Sequence, residues 1–322
     1  MKIGQFDRAP YPTGMIVDIH SYCNARCKMC PYQELLNKIP MGYMSWSLYT
    51  KIIDDYSCLM ERYNFVGKLT YCYMSEPFIK KDIAVWVKYA IERGVEIYFN
   101  TNASLLTADI VDSLKNIGFQ GVFIVSCHGI TKDVYERATG LDLSNVLKNI
   151  DYVLDMYPSK NIAINAVPYN WPKGEKEKVL SYWGKRGVYV GVTEPISRAG
   201  LVRYLKKASR KRIVGCETER VFYQMVVSFN GDVVLCCNDM SREIIVGNLN
   251  DSTIYEVWNG KIFQNILEAI YSGKKLPSTF LCNRCEESLD YWSLRRIVKS
   301  IMPNILLKQI QERRNRIWIL KQ

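Results

Sequence analysis

Histidine is scarce in this sequence: His20 and His128 are the two in 322 residues. Long apolar runs are missing as well. None approaches the ~20 uncharged residues that a membrane-crossing helix needs, which excludes a helical membrane protein. The N-terminal stretch "MKIGQFDRAPYP" has no apolar signal core, so the expected location is the cytoplasm. There is no internal repeat and no low-complexity segment. What remains is ordinary for a soluble globular chain, with 48% hydrophobic and 23% charged residues. The length suits about two domains.

Two features stand out against that background. The net charge is +11, and much of the excess is local, in "RYLKKASRKR" (203–212) and in the basic C-terminal stretch. Solvated basic helices and an anionic partner both account for it, and contact of the basic tail with a membrane surface stays open. Nucleic acid is not the expected partner. The second feature is eleven cysteines. Their odd number and clustering point to metal ligands rather than a disulfide framework.

Short β-rich runs alternate with amphipathic helical stretches. The strands are read at "GMIVDIH" (14–20), "GKLTYCY" (67–73), "VEIYFN" (95–100), "GVFIVSC" (121–127), "NIAINAV" (161–167) and "GVYVGVT" (187–193). Residues 143–154 keep helical spacing through Leu143, Val146, Leu147, Ile150, Val153 and Leu154. "ERG", "NIG" and "KRG" each close a helix with glycine before the next strand. Six β/α repeats predict a parallel sheet, open or closed into an incomplete barrel.

The rhythm stops near residue 200. "MVVSFNGDVVLCC" (225–237) reads as a hairpin turning at Asn-Gly. "STIYEVWNG" reads as a short helix capped by Ser252 and stopped at Gly260. "CNRC" (282–285) follows, then a helical stretch broken near Pro303. The expected division is 1–200 for an incomplete (β/α)6 TIM-type barrel, 201–292 for a small α+β cluster-binding domain, and 293–322 for a basic helical tail.

The loop after the first strand reads "CNARCKMC", with Cys23, Cys27 and Cys30. In parallel α/β sheets chemistry gathers at the C-terminal ends of strands. A closed zinc site uses four ligands, and three leave one position open. On a four-iron cube, three thiolates likewise leave one iron free to meet a substrate or cofactor.

The CX3CX2C pattern on this loop resembles the signature of the radical S-adenosylmethionine (radical SAM) superfamily. In that family the open iron chelates the methionine amino and carboxylate groups. Reductive cleavage then yields a 5′-deoxyadenosyl radical that abstracts hydrogen from the substrate. "YMSEP" (73–77) resembles the family's "GGEP", which implies Glu76 as acceptor for the methionine ammonium, with Ser75 standing for a glycine. "NTNA" (100–103) is similar to the segment near the ribose and implies Asn102. "VSCHG" (125–129) and "YERATG" (135–140) resemble later cofactor segments and imply Ser126 and Arg137. Met29, inside the cysteine loop, joins the implied cofactor contacts.

Further on, Cys216 is followed by fourteen residues, Gly231, four residues and Cys236, then by Cys282-x-x-Cys285. This resembles the family's auxiliary-cluster extension in its shorter "twitch" form, since the larger SPASM form adds cysteines beyond the final pair. The resemblance implies one auxiliary [4Fe–4S] cluster on Cys216, Cys236, Cys282 and Cys285, beside the three-cysteine cluster. A structural zinc site is the competing explanation of those four residues. The resemblance also implies a reducing partner such as flavodoxin or ferredoxin. Cys58, Cys72 and Cys127 read as buried small hydrophobes. Cys237, next to a predicted ligand, is open to three readings: core thiol, exchanged ligand, or hydrogen-atom donor to a substrate radical.

His128 shares the strand face of Ser126 and is read as a substrate contact or proton acceptor, against a packed or capping histidine. His20 is read as packing near the cluster. Arg198 in "PISRAG" would grip a phosphate or carboxylate if it faces the barrel; a surface ion pair is the alternative. Asn165 and Tyr169 are further substrate candidates. Some short-form relatives oxidise aminocyclitols, with the auxiliary cluster as electron acceptor, whereas others invert sugar or aminocyclitol carbons using a cysteine hydrogen. The expected substrate is a carbohydrate-type small molecule, in part because no leader-binding module precedes Cys23. Peptide side-chain modification and a non-catalytic iron–sulfur carrier are the competing classes.

Overall fold

The computed structural model describes residues 2–3, 6–210 and 212–291. Six parallel strands follow one another as expected: β1 (Gly14–Val17), β2 (Lys68–Tyr71), β3 (Glu96–Thr101), β4 (Val122–Ser126), β5 (Ile162–Ala166) and β6 (Tyr189–Val192). Helices cross between them: α1 (Trp46–Tyr63), α2 (Ile83–Ile91), α3 (Ala108–Asn116), α4 (Lys132–Thr139) with α5 (Leu143–Met156), and α6 (Glu175–Gly184). Each β/α unit is ordered by local chemistry. Ser45 caps α1 by accepting from the Leu48 amide at 3.1 Å, and Gly94, Gly118 and Gly187 take positive φ (76°, 79° and 67°) where the chain turns into β3, β4 and β6.

The buried stripe of α1 (Leu48, Tyr49, Ile52, Ile53, Tyr56, Leu59, Met60) packs on the outer face of the sheet. Each such side chain, fully buried, contributes roughly 1.5–3 kcal/mol. Along β1 the pleat splits the side chains: Met15, Val17 and Ile19 enter this outer core, and Ile16 enters a smaller inner one.

The C-terminal part begins with β7 (Ile213–Cys216), followed by β8 (Gln224–Val227), β9 (Asp232–Val234), β10 (Ile245–Asn248), α7 (Ile254–Asn259), α8 (Lys261–Tyr271) and β11 (Ser288–Asp290). β8 pairs parallel with β1, Gln224 opposite Gly14 and Val227 opposite Val17. The main sheet therefore runs in the order β10-β9-β8-β1-β2-β3-β4-β5-β6, and among the described residues it stays open. Sheet pairing thus crosses the boundary expected near residue 200. β7 and β11 form a separate antiparallel ribbon that sets Cys216 opposite Ser288.

Three expectations need correction. The hairpin between β8 and β9 is not a two-residue Asn-Gly turn. Its turn spans Ser228–Gly231, closed by the Gly231 amide on the Ser228 carbonyl at 2.9 Å. Gly231 alone in it has positive φ (86°), so the turn is not of the mirror-image type. The cap of α7 is Thr253 rather than Ser252, because Thr253 and Glu256 complete a reciprocal capping box. Of the three cysteines read as buried, only Cys127 is; Cys58 is exposed and Cys72 is half-buried. The expected tail at 293–322 and the break near Pro303 lie outside the described residues. Among the described residues no helix is long and apolar enough to cross a membrane.

Candidate active site

The loop after β1 carries Cys23, Cys27 and Cys30 across the C-terminal end of the sheet. It is tied at several points. The Cys23 amide donates to the Tyr32 hydroxyl (2.9 Å), which itself donates to the Ser21 carbonyl (3.2 Å). The Arg26 and Lys28 amides donate to the carbonyls of Thr139 and Ala138, both at 2.8 Å. Burial is the main cause that pushes the Cys23 thiol up to about 12 and raises Cys27 and Cys30; Cys30 also acts on Cys23, and both act on Cys27. A coordinated metal reverses this, because a ligating thiol is deprotonated. Met29 is buried in the same loop.

Glu76 sits at the end of the β2 segment, 1% exposed. It accepts from Thr101 Oγ1 (2.6 Å), the Asn102 amide (2.7 Å) and the Phe78 amide (3.3 Å). Burial raises its carboxyl to about 7 against those three bonds. Asn102 is held by side chains, donating to Asn24 Oδ1 (3.0 Å) and accepting from Ser104 Oγ (2.6 Å). Ser75 donates to Asp18 Oδ1.

Asp18 was not singled out from the sequence. It continues β1 on the pleat of Ile16, fully buried, and its carboxyl is raised to about 7, chiefly by burial, with opposing bonds from Ser75 and Met74 and the charge of Arg242. Cys72 and Asn100 continue this inner face across β2 and β3. Asn100 Nδ2 lies 3.3 Å from Cys72 Sγ, and burial pushes that thiol up to about 12. Ser126 and Asn165 stand opposite each other in the β4–β5 register and so share a face. Thr193 Oγ1 donates to Asn165 Oδ1 at 3.3 Å. The signal for Asp18 was legible in principle: one acid two residues beyond an inward Ile in an otherwise apolar strand.

Other expected residues are placed differently. His128 is buried, and its Nδ1 accepts the Val167 amide at 3.1 Å; burial lowers its ring to about 4. His20 packs between Tyr22 and Tyr43. Its Nδ1 accepts the Tyr22 amide (3.1 Å), and burial is the main cause lowering it to about 4. Arg137 is exposed on α4, its Nε donating to the Asp133 carbonyl at 2.9 Å. Tyr169 meets Tyr204 edge-on with ring centroids 5.5 Å apart. Arg198 does turn inward: its charge acts on the thiols of Cys30 and Cys72, and its guanidinium donates to Asn238 Oδ1.

A second site lies beside the first. Cys216, Cys236, Cys282 and Cys285 line one cavity together with Thr218, Arg220, Asn238, Glu287 and Ser288. Among the described residues no three His, Cys, Asp or Glu side chains gather as the ligands of a single metal ion do. Four soft sulfur donors around one cavity are the donor set of an iron–sulfur cluster. Cys237 is not among the residues lining that cavity; it borders the inner core, as Cys23, Cys30 and Leu201 also do, and its charge acts on Arg220 of the cavity wall.

An open parallel barrel with three cysteines at its mouth and four more behind it defines a class. Residues 17–171 match the radical SAM superfamily, and residues 216–286 match an iron–sulfur cluster-binding domain, SPASM. The chain belongs to the radical SAM superfamily and carries a C-terminal SPASM-type domain. Its cofactors are S-adenosyl-L-methionine and [4Fe–4S] clusters.

Particular relatives narrow the comparison. The chain is 23% identical over 291 residues to the S-adenosyl-L-methionine-dependent 2-deoxy-scyllo-inosamine dehydrogenase of Niallia circulans, covering 85% of this chain and 96% of that protein. The crystal structure of BtrN in complex with AdoMet and 2-DOIA superposes with a TM-score of 0.55 at 18% identity, over 87% of this chain and 93% of that one. Streptococcus suis SuiB bound to the precursor peptide SuiA gives 0.64 at 14% identity, over 86% and 70%. At these identities the structural likeness establishes the fold alone.

Proposed function

We propose that this enzyme oxidises a carbon of a carbohydrate-type small molecule: a sugar, a nucleotide sugar or an aminocyclitol. Cys23, Cys27 and Cys30 hold the first cluster in this reading, with Met29, Ser75, Glu76, Asn102 and Ser126 around the cofactor. Cys216, Cys236, Cys282 and Cys285 hold the auxiliary cluster in a domain spanning about 201–292. When bound, the first cluster and S-adenosylmethionine supply hydrogen-atom abstraction from carbon. An auxiliary cluster held by Cys216, Cys236, Cys282 and Cys285 would take the one electron that the substrate radical gives up with a proton to a base, leaving a product two hydrogens lighter. A cytoplasmic flavodoxin or ferredoxin supplies the electron that starts each turnover.

One observation carries the choice of oxidation. The auxiliary sulfurs are met by side-chain donors: Thr218 Oγ1 lies 3.3 Å from Cys216 Sγ, Asn238 Nδ2 lies 3.7 Å from Cys285 Sγ, and Ser288 bonds Cys282. Backbone bonds add to these, from Thr218 and Glu219 to Cys216, Asn238 to Cys236 and Glu287 to Cys285, whereas Cys23 and Cys30 receive one backbone bond each, from Ala25 and Tyr32. Hydrogen bonds to cluster sulfurs stabilise the reduced form and raise the potential, which makes the auxiliary site the better electron acceptor. The aminocyclitol-oxidising relative, matched nearly end to end, supports the same substrate class.

For the base, Asp18 on the inner face is better matched than His128, whose Nδ1 is already taken by an amide. Arg198, Asn165 and Tyr169 remain the proposed substrate contacts. The test is anaerobic turnover of the reconstituted enzyme with panels of aminocyclitols and nucleotide sugars. A product two mass units lighter supports oxidation, and processing of peptides alone rejects it. Epimerisation is a second reading because Cys237 borders the inner core and its charge acts on the Cys72 thiol of the inner face, where a thiol can return a hydrogen atom.

A further inference from the structure

Between the two cysteine sites runs a chain of polar contacts that ligation of the clusters does not require. Asn238 is 1% exposed. Its Nδ2 lies 3.7 Å from Cys285 Sγ and 2.9 Å from Glu287 Oε2, and its Oδ1 accepts from Arg198 Nη1. The neighbours fix which way the amide points. A guanidinium can only donate, and a carboxylate or thiolate can only accept. The oxygen must therefore face Arg198, and the N–H groups must face Cys285 and Glu287.

Arg198 itself is held by an unusual backbone. Arg198, Ala199 and Gly200 are consecutively left-handed, with φ of 50°, 56° and 87°. Left-handed geometry is strained for a non-glycine residue, so the turn needs external support. Ser197 provides it. Its amide donates to Glu286 Oε1 (2.8 Å), its Oγ accepts the Gly200 amide (2.9 Å), and its carbonyl accepts the Val202 amide (2.9 Å). The same loop after Cys285 thus anchors the turn through Glu286 and the amide through Glu287. Glu287 is in turn paired with Arg220 at 2.6 Å. On its other side, Arg198 is near enough to Cys30 and Cys72 for its charge to act on both thiols.

We propose that Asn238 is a positioning residue for the auxiliary cluster: it donates an N–H to the Cys285 sulfur, and Arg198, reaching from the substrate chamber, keeps it in that orientation. The donor stabilises added negative charge on the cluster and so raises its reduction potential. Arg198 joins that sulfur to the chamber through a single side chain. The inference rests on the auxiliary cluster, and on the oxidation reading only for its effect on turnover.

The test is an anaerobic redox titration of the full-length enzyme with both clusters loaded, followed by electron paramagnetic resonance and needing no substrate. Asn238→Ala is expected to shift the auxiliary potential downward while the first cluster titrates as in wild type, with iron content retained. An unchanged auxiliary potential at full iron content overturns the proposal. Should Asn238→Ala not load its second cluster, Arg198→Ala carries the test, because it leaves the amide in place but frees it to turn. A lowered potential there supports the proposal, and an unchanged one overturns it. A titration that behaves as expected in an enzyme that oxidises no carbohydrate rejects the substrate reading and leaves this inference standing.

Discussion

Cys236 and Cys237 are adjacent in the chain and border different spaces. Cys236 lines the cavity shared by Cys216, Cys282 and Cys285, whereas Cys237 borders the inner core and its charge acts on the Cys72 thiol. Burial together with the neighbouring Cys237 and Cys282 raises the Cys236 thiol far above its ordinary range. The pair stands just beyond the end of β9, at a turn that the Asp239 amide closes on the Cys236 carbonyl at 3.0 Å.

This placement makes Cys237→Ala the variant that separates the two chemistries. Oxidation is the expected outcome: the wild type gives a product two hydrogens lighter, and the variant keeps turnover within a few-fold, losing about 1 kcal/mol of packing stability. Mass spectrometry of product made in D₂O is the check. One deuterium at an inverted carbon, with inversion lost in Cys237→Ala while the cofactor is still cleaved, would instead establish epimerisation.

The two sets of thiols should load independently. Replacing Cys23, Cys27 and Cys30 together is expected to leave about four irons of about eight and to abolish S-adenosylmethionine cleavage. Replacing Cys282 and Cys285 should remove the other four irons and product formation, while 5′-deoxyadenosine still forms without coupling to substrate. Iron assay and chromatography of the cleaved cofactor read both variants. Cleavage that survives the triple substitution would remove the assignment of the first loop.

Helix α4 tests how the first loop is held. The Thr139 and Ala138 carbonyls accept from Arg26 and Lys28, and Gly140 turns away at φ 72° with room for a Cβ only 3.4 Å from Arg26 Cβ. Gly140→Val forces a β-branched residue into the left-handed region, costing about 1–2 kcal/mol or more, and presses on the loop. The expected result is loss of iron from the first cluster and cleavage reduced by about tenfold or more, of the order such strain produces. Arg137→Ala, on the exposed face of the same helix, is expected to leave cleavage within about twofold, as surface changes usually do. Equal losses in both variants would restore Arg137 as a cofactor contact.

The cysteine spacing and the β/α rhythm were legible because both are short-range. A strand's alternation or a CX3CX2C loop is written within a few residues, and all six barrel strands lie where the pattern predicted. What escaped depends on register between distant segments. Cys72 looked like a core residue in "KLTYCY", yet the parallel register with β1 and β3 sets it beside Asp18 and Asn100 on the inner face. Asn238 meets Cys285 across 47 positions of sequence and Arg198 across 40. Nothing local marks an asparagine as a sulfur's donor. The same limit applies to β8, whose pairing with β1 extends the barrel sheet by a contact between residues far apart in the chain.

Asp18 gives the last prediction, through pH. Its folded carboxyl is raised from 3.8 to about 7, mainly by burial. The folded state therefore binds a proton that the unfolded chain has already released between those values. Stability contributed by this group is fully present below about 4 and is lost as pH rises through about 7, by linkage on the order of 2–4 kcal/mol. Glu76, raised to about 7 by burial, acts in the same direction, whereas His20 and His128, both lowered to about 4, lose stability as pH falls from about 6.5. Asp18→Asn removes one rising-pH loss and leaves the histidine limb intact. Denaturant unfolding of wild type and variant from pH 5.5 to 8 is the measurement. The variant should gain stability relative to wild type as pH rises from 5.5 towards about 7 and level off above it. A difference that is constant across the range would mean that Asp18 keeps an ordinary carboxyl pKa, despite its burial against Ser75 and Met74.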